Sequence, residues 1–256
     1  MAVKGSTDAV RRDPGVRFAG PPDDFGGDVA ARPGQCCRWP SLASFRMSGV
    51  EVVELRQYLL HPGRRDELIE IFERELFDPQ EQAGMPILGT FRDLDRPDHF
   101  VWLRGFPSVA SRAPALEAFY GGPVWAAHGG AAAATMIDSD DVLLLRPAAP
   151  GFGLPPRVEP GDGGVVTIEV YPLATPLTGP ARAAFRTALL PAVAVLETEP
   201  APNDFPALPV REGEHVVVRV ARDGDGPAPL DPVPAGRLAG PPQRLRLEPT
   251  QRSRLR

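Results

Sequence analysis

Within the run Glu54-Leu55-Arg56-Gln57-Tyr58-Leu59-Leu60-His61-Pro62-Gly63-Arg64-Arg65-Asp66-Glu67-Leu68 the hydrophobic period changes from two to 3.6. Up to Leu60 side chains alternate; after Pro62-Gly63 the apolar residues Leu68, Ile69, Phe72 and Leu76 recur at helical spacing. The chain is therefore committed to a strand, a tight turn and an amphipathic helix in direct succession. A helix packed by so short a turn against its own strand calls for a mixed, layered α/β architecture.

The same signals extend the unit to β-α-β-β-α-β. The first strand covers 50–60 and the first helix 64–77, with Pro79 just past its end. Strands over 86–92 and 100–106 follow, joined by the turn Asp95-Arg96-Pro97-Asp98. Ser108 can cap a second helix carrying Leu116 and Phe119. Gly121-Gly122-Pro123 interrupts it, a further helical turn passes through Trp125 and His128, and a fourth strand covers 141–146.

Three segments carry a resemblance: the strand–turn–helix run above, Phe91 to Phe106, and Ala118-Phe119-Tyr120-Gly121-Gly122-Pro123-Val124-Trp125-Ala126-Ala127-His128. Together they resemble the NIPSNAP family, whose domains belong to the dimeric α/β-barrel group. The resemblance is stronger over 50–147 than over 164–248, where it implies a second, degenerate copy. It implies a fold and no reaction, since the family has no agreed common chemistry.

The second unit reads as strands over 165–171, 193–198, 215–220 and 244–248, with one helix over 180–190. Its second helix is missing, because residues 223–242 hold six prolines. The fold class expected is α+β: tandem ferredoxin-like modules closing on each other as a dimeric-α/β-barrel-type pseudo-dimer. Residues 148–163, rich in proline and glycine, read as a linker, and 249–256 as an Arg-rich, solvated tail. Residues 1–46 lack apolar periodicity and read as a disordered tail or, preferred, as an extension preceding a true start at Met47.

Several function classes drop out. No run of eighteen apolar residues exists, so no ordinary membrane helix is expected. A net charge of −5 gives no attraction to nucleic acid or anionic lipid, and a cytoplasmic location is the default. Cys36 and Cys37 are adjacent and alone, which offers neither a disulfide framework nor metal-ligand spacing. The four histidines, His61, His99, His128 and His215, have no HxH or HxxxH partner. Asp93, Asp95 and Asp98, and likewise Asp138, Asp140 and Asp141, lack the glycine and terminal glutamate of a calcium loop. No metal and no cofactor are expected.

Alternation divides the central strands into two faces. Val53, Leu55 and Leu59, with Val101 and Leu103, are assigned to the helices. Glu54, Arg56, Tyr58, Trp102, Arg104 and Phe106 are assigned to the space between the two sheets. Glu169 and Arg219 repeat the places of Glu54 and Arg104, so two structural pairs are expected, Glu54 with Arg104 and Glu169 with Arg219. Arg56, Tyr58, Trp102, Arg104, Phe106, Trp125 and His128 are the ligand-pocket candidates, their arginines suited to a small anionic or carbonyl-bearing ligand. No catalytic residue is assigned. The preferred reading is a non-enzymatic, small-ligand-binding or self-associating module, with a homodimer among its expected states. The alternative is a dimeric α/β-barrel enzyme, monooxygenase-like or haem-handling, in which the resemblance would give His128 a ligand or proton-donor role.

Overall fold

The computed structural model describes residues 49–155, 164–222, 225 and 237–256. The expectations for residues 1–46, for Met47, and for most of the proline-rich stretch 223–242 lie outside the described residues.

Strand β1 (Val52–Leu60) ends at the Pro-Gly turn. Gly63 takes φ +76°, a left-handed conformation open to glycine at little cost. Its N–H donates to Oδ1 of Asp98 at 2.9 Å. Helix α1 (Arg65–Ile71) then widens into one π-helical turn, Phe72–Leu76, before α2 (Phe77–Gln82). The helical run thus passes Pro79 instead of stopping short of it. Pro79 falls in the first turn of α2, where its missing N–H interrupts no intrahelical bond. The wide turn re-phases the helix so that Phe72, Leu76, Phe77 and Gln80 are all buried.

Strands β2 (Ile87–Asp93) and β3 (His99–Phe106) form the expected hairpin. Asp93 caps its turn by accepting from the N–H groups of Asp95 and Arg96. Helix α3 (Val109–Tyr120) opens with a reciprocal capping box between Ser108 and Ser111. Helix α4 (Pro123–Ala133) runs for 11 residues, where a single turn was expected. β4 (Met136–Pro147) begins before Asp141, because its first residues continue the pairing with β1 as far as Leu60↔Met136. The second half contributes β5 (Val166–Leu173), α5 (Gly179–Ala188), β6 (Ala194–Thr198), β7 (His215–Arg222) and β8 (Gln243–Pro249).

All eight strands close into one antiparallel barrel in the order β1-β3-β2-β8-β5-β7-β6-β4. The first four strands stay contiguous, as do the last four, and the two sets meet at β2–β8 and β4–β6. One apolar cluster draws on every strand and on no helix: Val53, Leu55, Val101, Leu103, Leu145, Ile168, Leu196, Val218 and Leu247 belong to it, and it is the barrel interior. A second cluster joins Tyr58, Phe100, Trp102 and Phe106 to Leu68, Phe72, Leu116 and Phe119 of the helices.

The face assignment made from alternation is therefore reversed. The charged and aromatic face of β1 and β3 lies under the helices, and the aliphatic face fills the barrel. The interior of a small eight-stranded barrel is just wide enough for branched aliphatic side chains. The helix-covered layer can take aromatic rings and arginine stems.

The C-terminal tail is docked, not solvated. Leu255 is 3% exposed and packs in the interior cluster. Ser253 Oγ accepts from the Thr90 N–H at 3.1 Å, and the Arg252 guanidinium lies 4.0 Å from the Phe77 ring centre. Arg252 and Arg254 pair with Asp78 and Glu81. Pairing with α2 and burial of one leucine at the barrel end give the tail a fixed place.

Candidate functional site

Glu54 stands opposite Arg104 in the β1–β3 register, on the helix-covered face. Its carboxylate is the hub of a buried cluster. Oε2 accepts from Arg104 Nη2 at 2.6 Å and Nε at 3.1 Å, and from Arg56 Nη1 at 2.9 Å. Oε1 accepts from Arg112 Nε at 2.8 Å, reaching down from α3. Glu54, Arg104 and Arg112 are fully buried and Arg56 is 1% exposed. Burial alone would push the Glu54 carboxyl up, but Arg104, Arg56 and Arg112 hold it far below the ordinary carboxylate range.

The arginines are engaged on their outer sides as well. Arg56 Nε donates to the Tyr58 hydroxyl at 2.9 Å, and Arg104 Nη1 to Gln80 Oε1 at 3.0 Å. Arg112 Nη1 donates to Asn203 Oδ1 at 3.0 Å and to Asp204. The guanidinium of Arg104 stacks 5.1 Å from Trp102 and 5.5 Å from Phe106. Burial raises the Tyr58 phenol despite the opposing pull of Arg56. The cluster ties the sheet to α3 and to the 199–214 connection of the second half.

Of the sequence-predicted residues, Arg56, Tyr58, Trp102, Arg104 and Phe106 come together here. Trp125 stands beside the group, its ring 4.7 Å from Tyr120 and 5.7 Å from Phe119. His128 does not join it: the side chain is 40% exposed on α4, with Nε2 3.6 Å from Glu75. Trp102 Nε1 is buried without a hydrogen-bond partner among the described residues. In the second half, Arg219 Nη1 lies 3.1 Å from Glu169 Oε2, and Arg219 also donates to the carbonyls of Leu189 and Pro191. Burial and the adjacent Glu169 carboxylate raise the Tyr171 phenol.

Reading the sequence missed Arg112, Gln80, Asn203 and Asp204. Arg112 shares a helical stripe with Leu116 and Phe119, the one available sign that it faces the core. Nothing local marks Asn203 or Asp204, which arrive by tertiary contact.

A separate cleft of about 620 Å³ opens outside β6 and β7, between α5 and the 199–214 connection. Leu144, Leu173, Leu177 and Val217 give it an apolar lining, and Arg146, Arg182, Glu197, Arg211, Glu214 and His215 its polar groups. Arg182 and Arg146 share the Glu197 carboxylate, donating from Nε at 2.7 and 3.1 Å. Among the described residues no group of His, Cys, Asp and Glu could hold a metal ion, and no helix is long and apolar enough to cross a membrane.

A closed eight-stranded antiparallel barrel with helices outside places the molecule among α/β-barrel proteins. Two crystal structures share this arrangement over most of the chain. A candidate monooxygenase from Fusobacterium nucleatum is similar at TM-score 0.51 and 9% identity, over 78% of this chain and 93% of that one. Another from Lactobacillus acidophilus is similar at TM-score 0.50 and 12% identity, over 78% and 94%. An uncharacterised NIPSNAP domain protein from Burkholderia xenovorans aligns at TM-score 0.36 and 21% identity, over 38% of this chain and 95% of its own. Residues 53–150 match the NIPSNAP family model, so this part of the chain is a NIPSNAP domain. No protein of curated function matches the chain.

Proposed function

We propose that the chain is a small-ligand-binding barrel protein of the cytoplasm and not an enzyme. In this reading the Glu54 cluster is its frame and the cleft beside α5 its binding site. The barrel is read as two ferredoxin-like halves, 50–147 and 164–248, joined through 148–163 and sealed by 249–256. The strand orders β4-β1-β3-β2 and β8-β5-β7-β6, and the Glu–Arg pairs at matching places, support the tandem reading.

The observation that carries the binding reading is the contrast between the two polar groupings. Arg56, Arg104 and Arg112 are buried, and each is held by the Glu54 carboxylate and by a further partner within the chain, which supports a space-filling role. The cleft, in contrast, is a concave volume of about 620 Å³ with an apolar lining and a few convergent charges, the form small-molecule sites take. Self-association is not needed to complete the sheet, because the barrel closes within one chain.

Native mass spectrometry of the full chain, purified from its own host, tests this. The expected species is heavier than the chain by one small molecule, which denaturation releases. A chain that is always empty, whether monomer or dimer, and whose melting no member of a metabolite library raises, would refute the binding reading.

A further inference from the structure

The cleft lies where the second half departs from the first. In the first half Arg56↔Trp102 and Tyr58↔Phe100 follow the Glu54↔Arg104 pair along β1 and β3. Their rings, with Phe72, fill the layer beneath the helices: Trp102 is 4.9 Å from Phe72 and 5.9 Å from Tyr58. In the second half the pairs that follow Glu169↔Arg219 are Tyr171↔Val217 and Leu173↔His215. Leu173, Val217 and His215 therefore occupy the places of Tyr58, Trp102 and Phe100. All three line the cleft. Phe185, the one aromatic residue of α5, packs on Tyr171 with ring centres 5.7 Å apart and leaves this space open.

We infer that the cleft takes a small molecule with a flat apolar body and one anionic group, such as an aromatic carboxylate. This rests on the ligand-binding reading above and adds the ligand's class. The body replaces the missing rings against Leu173, Leu177 and Val217. The anion is drawn to Arg146 and Arg182, two guanidiniums that share one carboxylate and leave a positive charge uncompensated by it. The N-terminal end of α5 adds to the same preference. Its N-cap, Thr178, lines the cleft and makes no side-chain capping bond. Of the other acidic residues in the lining, Glu214 pairs with Arg211, while Glu199 and Glu212 accept from the N–H groups of Ala201 and Asn203 and keep their charge. The pull on an anion therefore comes from the two guanidiniums at Glu197 and not from the net charge of the cleft.

Three probes sharing one ring system separate class from site: naphthoate, naphthylamine and naphthylmethanol, titrated into the full chain by ligand-observed NMR. Naphthoate is expected to bind saturably and more tightly than the other two. Val217→Trp, which restores the residue type of the first half, should abolish binding. Arg182→Gln should weaken naphthoate by about tenfold, the loss of one charge-assisted bond, and leave naphthylmethanol unchanged. Should Val217→Trp fail to fold by circular dichroism, His215→Phe carries the same test. If naphthylamine or naphthylmethanol binds as tightly as naphthoate and Val217→Trp removes it, the anionic class falls while the cleft stands as a binding site. If no probe binds, the proposed class falls while the binding reading is decided by native mass spectrometry of the full chain. If naphthoate binding survives both filling variants, the cleft falls as the binding site.

Discussion

Replacing Glu54 by glutamine should damage this protein more than removing any one of the arginines around it. Consider Arg104→Met first. It deletes a fully buried guanidinium, its bonds to Glu54 and its bond to Gln80. Glu54 nevertheless keeps Arg56 at 2.9 Å and Arg112 at 2.8 Å, so no carboxylate is left unpaired. Methionine also fills most of the space of the arginine stem. The cost expected is about 2–3 kcal/mol, from lost charge-assisted bonds and an unsatisfied Gln80 oxygen. Glu54→Gln keeps the shape but leaves three buried guanidiniums facing Tyr58, Gln80, Asn203 and the partly exposed Asp204. Breaking one buried pair from one side costs about 3–5 kcal/mol, and here Arg56 and Arg104 lose their carboxylate together while Arg112 keeps only Asp204, so about 5 kcal/mol or more is expected. Against a total stability of roughly 5–15 kcal/mol, that brings the folded state close to its limit. At roughly 2–4 °C per kcal/mol for a barrel of this size, Arg104→Met lowers the melting temperature by roughly 5–10 °C and Glu54→Gln by at least as much again. Urea unfolding followed by tryptophan fluorescence is the assay, since Trp102 stacks on both Arg56 and Arg104. A Glu54→Gln variant no less stable than Arg104→Met would refute the hub account.

Three further outcomes follow from the same structure. Because the folded Glu54 carboxyl titrates far below its ordinary value of 4.5, its contribution is complete above that pH. Below it the unfolded chain takes up the proton first, so stability declines with falling pH; urea midpoints between about pH 3 and 7 should show this acid limb, reduced in Glu54→Gln. Gly89→Ala would place a methyl 2.5 Å from the buried Phe91 ring, and a loss of about 1–3 kcal/mol is expected in the same assay. Leu255→Ala should cost about 2 kcal/mol through lost burial at the barrel end, whereas an unchanged melting curve would return the tail to solvent.

How much of this was legible in the chain differs by element. The period change at Pro62-Gly63, the Ser108 cap and the alternation of each strand are local signals, and β1, α3 and the strands appear within a few residues of where those signals put them. Pro79 misled because a proline ends a regular helix but not one whose preceding turn has widened. The pairing of Glu54 with Arg104 could be anticipated from register, since opposite charges on neighbouring central strands meet. Arg112 and Asp204 could not, because their approach depends on how α3 and the 199–214 connection pack on the sheet.

The faces mark the boundary between the two kinds of information. Alternation says that Glu54, Arg56 and Tyr58 lie on one side of β1 and Val53 and Leu55 on the other, and sequence alone determined that much. Which side becomes the interior is decided only when the sheet closes, since both sides are then buried and neither is marked by polarity. Closure leaves a narrow space that branched aliphatic residues fill, and a wider layer under the helices where arginines, rings and one carboxylate satisfy one another. The same closure decides that Leu173, Val217 and His215, unremarkable along the chain, border an open cleft. Local chemistry sets each residue's side of its strand, and long-range packing decides what that side encloses.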